Sequence, residues 1–122
     1  ILIVEDEPVL RRTTRRVLER HGYRVLTAPD GAKGLEVFLQ HSADIQLIIA
    51  DSVMPNMGGI ELYHRVAERS KVPFILASGY TRERIDDQDP ICEPMRFVQK
   101  PWQLSTLLNI VSQALGGPVE LR

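Results

Sequence analysis

The sequence predicts an α/β fold, a doubly wound five-stranded parallel sheet in the order 2-1-3-4-5. Three observations predict it. Short apolar runs alternate with helix-patterned segments five times along the 122 residues. Such alternation implies parallel strands joined by right-handed crossovers, with helices on both sheet faces. Acids, a serine and a lysine follow the apolar runs directly, at the strand ends where open parallel sheets collect ligands.

The strands are expected at 1–5, 24–28, 46–50, 73–77 and 96–99. Each is a short apolar run bounded by turn-forming residues, the pattern of a buried strand. The first helix, Pro8 to His21, opens on a first-turn proline and stops at Gly22. Its inner stripe reads Leu10, Thr14, Val17, Leu18 and His21. The second, Asp30 to His41, is expected to bury Ala32, Leu35, Phe38 and Leu39. The third, Ile60 to Ser70, uses Leu62, Tyr63, Val66 and Ala67. Residues 81–95 are polar and carry Pro90 and Pro94, so a fourth helix there should be short or irregular. The last helix, Gln103 to Leu115, repeats Leu104, Leu107, Leu108, Val111, Ala114 and Leu115 at helical spacing. A domain over 1–115 and a tail or linker over 116–122 are expected, with Gly116-Gly117-Pro118 as the break.

Composition limits the function classes. The chain is 43% hydrophobic and 25% charged, and this length and balance suit one globular domain with its own core. A net charge of −1 gives no reason to expect nucleic acid or direct membrane contact. Cys92 is the one cysteine, which rules out an internal disulfide and suits a reducing cytoplasm. No apolar stretch reaches membrane-spanning length, and no secretory signal is expected. The chain opens at Ile1, inside a strand, and is expected to be a segment of a longer protein.

The chemistry concentrates at strand ends. Asp51 follows Leu47-Ile48-Ile49-Ala50, and Glu5 and Asp6 follow Ile1-Leu2-Ile3-Val4. In the 2-1-3-4-5 order the first and third strands are neighbours, so these three acids should converge. Clustered carboxylates repel, and a hard divalent cation relieves the repulsion. All-oxygen ligation without His or Cys favours Mg²⁺ or Mn²⁺. Lys100 adds a cation and Ser78 a hydroxyl. A carboxylate nucleophile in that company suits an incoming phosphoryl group. Blander readings exist for each residue. Asp51 alone reads better as a helix cap or a buried acid paired with Lys100, Glu5 and Asp6 read as caps of the first helix, and Ser78 as a turn residue. The combination favours the site. The stretch Arg11, Arg12, Arg15, Arg16 and Arg20 reads either as a solvated helix face or as a docking surface beside the acids.

These motifs together resemble the receiver domain of two-component response regulators. The resemblance covers Ile1 to about Leu115. It rests on Ile3-Val4-Glu5-Asp6-Glu7, Asp51-Ser52-Val53-Met54-Pro55-Asn56-Met57-Gly58-Gly59, Ala77-Ser78-Gly79 and Lys100-Pro101. It implies a flavodoxin-like sheet and a phosphoacceptor at Asp51, with Mg²⁺ on Asp6, Asp51 and the Val53 backbone carbonyl. Glu5 would act on the cation largely through water. It further implies phosphoryl contacts from Ser78 and Lys100, and a switch built on Ser78 and Phe97. The donor would be a histidine kinase or a histidine phosphotransfer domain, and the domain would catalyse its own phosphorylation and dephosphorylation. The pair Glu5-Asp6, with Ser78-Gly79-Tyr80 and Gln99-Lys100-Pro101-Trp102, is most similar to receivers carried by hybrid sensor histidine kinases. The resemblance also makes Lys100–Pro101 a candidate cis peptide.

Other classes fit less well. A Mg-dependent phosphatase with an aspartyl nucleophile wants a second Asp where Val53 stands. A flavodoxin-type cofactor carrier wants a Ser-, Thr- and Gly-rich first loop where Glu5-Asp6-Glu7 stands. A non-phosphorylated receiver-like interaction module would lack one of the acids or the lysine. The sequence leaves the oligomeric state open.

Overall fold

The computed structural model describes residues 1–78, 96–99 and 103–116. Five parallel strands form one sheet in the order β2-β1-β3-β4-β5. They are β1 (Leu2–Val4), β2 (Leu26–Ala28), β3 (Ile48–Asp51), β4 (Phe74–Ser78) and β5 (Arg96–Gln99). Between them run α1 (Pro8–Arg20), α2 (Gly31–His41) and α3 (Gly59–Ala67), and a last described helix spans Leu104–Ala114. The predicted order and all five strands are present. The expected fourth helix, the tail beyond Gly116 and the thiol of Cys92 lie outside the described residues. Among the described residues no helix is long and apolar enough to cross a membrane.

Side-chain alternation divides the core into two layers. Leu2, Val4, Ile48, Ala50, Phe74 and Leu76 share one cluster with Phe38, Leu62 and Val66 of α2 and α3. Ile3, Ile49, Ile75, Ala77 and Val98 share the other with Leu18 of α1 and with Leu107 and Val111 of the last helix. Both sheet faces are therefore buried, which explains why the strands read as continuous apolar runs. Each fully buried Leu, Ile or Phe contributes about 1.5–3 kcal/mol by leaving water.

The helices depart from the predicted stripes in three places. His21 is exposed at the C-terminal cap of α1, its Nδ1 3.0 Å from the Val17 carbonyl oxygen. In α2, Ala32 and Leu39 face outward, and the buried line runs through Gly31, Gly34 and Phe38 with Leu35 half-buried. A stripe that includes glycines carries no hydropathy signal, so the apolar pattern pointed one residue away. In α3, Leu62, Tyr63 and Val66 are buried as expected, whereas Ala67 is exposed.

The chain between β3 and α3 doubles back tightly. Ser52 donates its N–H to the Ala77 carbonyl at 2.8 Å, and Gly59 donates to the Ser52 carbonyl at 3.1 Å. A Cβ on Gly59 would collide with the carbonyl oxygen of Asp51 and stand 2.8 Å from Leu76 Cδ1. Close approach of two backbones is what this glycine allows. Gly59→Ala is expected to destabilise the protein by roughly 1–3 kcal/mol, read as a lower midpoint in urea unfolding.

Candidate functional site

Strand parity sets the site. Glu5 lies two residues beyond Ile3, and Asp51 two beyond Ile49, so both carboxylates leave the sheet on the side of α1 and the last helix. The pairing of Val4 with Ala50 brings the two strand ends level. Asp6 is the first residue of the turn into α1. Carboxylate oxygens of Glu5, Asp6 and Asp51 lie within 4.8 Å of one another. Their settings differ: Glu5 is buried, Asp51 half-buried and Asp6 exposed.

Glu5 is held at both ends. Its Oε2 accepts the Glu7 N–H at 3.2 Å, and its backbone carbonyl accepts Arg11 Nη1 at 2.8 Å. Neither Glu5 nor Asp6 caps α1. The N-cap is Glu7, without a side-chain cap bond, and Pro8 follows at the first helical position. Arg11 is thus separated in role from the rest of the arginine stretch, because it braces the strand end that carries two of the acids. Of the others, Arg15 pairs with Glu19 at 3.1 Å on the surface, and such exposed pairs contribute little.

Ser78 ends β4 and is fully buried. Phe97 is placed by its backbone in β5, in register with Leu76. Val53 is 63% exposed in the loop after Asp51, while Met54 turns inward. Lys100, Pro101, Trp102, Gly79 and Tyr80 lie outside the described residues. The structure therefore brings Glu5, Asp6 and Asp51 together and sets Ser78 one strand away.

A second feature escaped sequence reasoning. Asp30 is the N-cap of α2, its Oδ1 accepting the Lys33 N–H at 2.8 Å. Its Oδ2 accepts Asn56 Nδ2 at 3.0 Å, and Gly31 donates its N–H to the Met57 carbonyl at 3.0 Å. Asn56 holds φ 70°, a left-handed conformation that asparagine tolerates better than most residues. The loop behind Asp51 is thereby clamped to the start of α2. The signal was present in Pro29-Asp30-Gly31 and Asn56-Met57-Gly58, each a turn signature, but nothing in one segment announces the other.

An acid cluster at the carboxyl end of the central strands of a 2-1-3-4-5 sheet narrows the family, and comparison decides it. The family model described as the response regulator receiver domain matches residues 1–112. The chain belongs to the response regulator receiver domain family. It is a receiver domain of two-component systems. Over 124 aligned positions the receiver is 41% identical to the sensor histidine kinase TmoS of Ectopseudomonas mendocina, covering 96% of this chain and 12% of that protein. The solved receiver domain of the hybrid histidine kinase CckA superposes with a TM-score of 0.79 at 31% identity, covering 93% of this chain and 96% of that one. The response regulator TrrA of Thermotoga maritima, solved with Mg²⁺-BeF, gives 0.79 at 28% identity, covering 93% and 96%. The receiver spans from 12% to 56% of the length of the curated relatives it matches.

The clamp generates a pH dependence. The Lys33 backbone N–H, then the Asn56 side chain, hold the Asp30 carboxyl below its usual range. A carboxyl lowered in the folded state stabilises above its unfolded pKa of about 4, and that stabilisation is lost as pH falls through the lower folded value. Asp30→Ala should cost about 1 kcal/mol at pH 7. The gap between wild type and variant should narrow below about pH 4, measured as urea midpoints across pH.

Proposed function

We propose that Asp51 accepts a phosphoryl group from a phosphohistidine, and that the modified state is the signal. The observation that carries this reading is the convergence of the Glu5, Asp6 and Asp51 carboxylates within 4.8 Å. Three anions so close need a counter-charge, and their all-oxygen donor set suits Mg²⁺ or Mn²⁺. Asp6, Asp51 and the Val53 carbonyl would hold the cation, with Glu5 acting largely through water. A bound cation supplies charge neutralisation between the acceptor carboxylate and the incoming anion.

The residues of the chain then do the positioning. Asp51 offers one carboxylate oxygen to phosphorus; the new P–O bond forms as the P–N bond breaks. The imidazole nitrogen leaves with the electron pair and takes a proton from solvent. Lys100 neutralises charge on the equatorial oxygens, and the Ser78 hydroxyl donates to one of them. Drawing Ser78 toward the phosphoryl group while Phe97 moves inward is the proposed switch. It works only if the phosphoryl contacts favour one state over the other.

The donor is proposed to be a histidine kinase or histidine phosphotransfer domain. A receiver over 1–115 followed by a linker, within a hybrid sensor histidine kinase in the cytoplasm, is the proposed setting. The similarity to TmoS and to the CckA receiver supports it.

Incubation with Mg²⁺ and a small-molecule phosphodonor tests the acceptor. An acid-labile, hydroxylamine-sensitive modification at Asp51, absent from Asp51→Asn, is expected. No modification, with Mg²⁺ still bound, would favour a non-phosphorylated interaction module.

Lifetime offers a further check. Neither Val53 nor Tyr80 carries an acid or amide to orient a hydrolytic water, so phosphoryl loss should be slow. Val53→Asn should accelerate it, measured by decay of the phosphorylated form; equal rates would contradict the assignment.

A further inference from the structure

Ser52, the residue after the proposed acceptor, carries a buried hydroxyl oxygen with no hydrogen-bond partner. Its backbone is fully engaged, through the bonds to Ala77 and Gly59. A buried unsatisfied hydroxyl is costly, and natural folds rarely leave one without a use. Turn preference does not explain it, because the side chain makes no local bond of the kind that serine uses in turns.

The register shows what faces it. Asp51 pairs with Ala77 across the parallel β3–β4 ladder, so the next step sets Ser52 opposite Ser78. Ser52 follows β3 directly and Ser78 closes β4, so both residues stand at the carboxyl end of the sheet beside Asp51. Adjacent strands are about 4.8 Å apart, a spacing across which paired serine hydroxyls can bond. Ser78 is fully buried, so it too must find its partners inside the protein.

We propose that Ser52 is a positioning residue that acts through Ser78 in the phosphorylated state. This rests on the phosphoacceptor reading of Asp51. A hydroxyl has one proton to donate and two lone pairs to accept with. When Ser78 gives its proton to a phosphoryl oxygen, its own oxygen becomes a better acceptor, and Ser52 donates to it. The two bonds reinforce each other, and the orphaned hydroxyl is satisfied only in the modified state. Such a bond biases the equilibrium toward that state.

Beryllofluoride with Mg²⁺ serves as the probe, titrated by calorimetry into the chain. Ser52→Ala should weaken beryllofluoride binding about fivefold, the change expected for one neutral hydrogen bond, and leave Mg²⁺ binding unchanged. In a Ser78→Ala background the same substitution should have no effect. Ser52→Thr should keep the affinity, and its isostere Ser52→Val should lose it. The urea midpoint of the unliganded Ser52→Ala protein should equal or exceed that of wild type. Unchanged beryllofluoride affinity, an undiminished effect without Ser78, or a lower midpoint would overturn the proposal. Failure of the wild-type protein itself to bind beryllofluoride would instead remove the acceptor reading on which it stands.

Discussion

The mutual repulsion of three carboxylates is the constraint around which this receiver is organised. Asp51 ends β3 while Glu5 and Asp6 follow the neighbouring β1, and the three converge on one small volume. Left alone, that arrangement opposes folding, since like charges at short range raise the free energy of the compact state. The fold accepts the strain because the strands beneath are buried on both faces and cannot slip by a residue without reversing every side chain. The core thus supplies the rigidity, and the acids supply the demand for a cation.

Around that centre the supports are backbone in character. Arg11 reaches a carbonyl, Glu7 offers an N–H, Gly59 lets two backbones touch, and Gly31 meets the loop through its N–H. Contacts of this kind fix the strand end and the loop that carry the carboxylates. The Asp30–Asn56 bond extends the same logic to the outer side of the loop.

Much of this was legible in the sequence. Apolar runs two-sidedly buried in a parallel sheet are nearly continuous, so all five strands could be drawn, and the acids at their ends followed from topology. What could not be read had physical causes. The buried face of α2 runs through Gly31 and Gly34, which have no side chain to register in a hydropathy pattern. The clamp between Asp30 and Asn56 joins residues 26 positions apart, and each looked like an ordinary turn residue. Arg11 was grouped with its neighbours by charge, although its partner is a carbonyl. Ser52 sat inside the motif that gave the family away and drew no notice, because orphaned hydroxyls exist only in three dimensions.

The lateral order of the strands sets how far a local event must travel. Only β4 separates the strand that bears Asp51 from the strand that bears Phe97. Two interstrand spacings, about 10 Å, span that gap. The switch proposed for Ser78 and Phe97 would therefore need no long chain of intermediaries, since Ser78 itself ends that intervening strand.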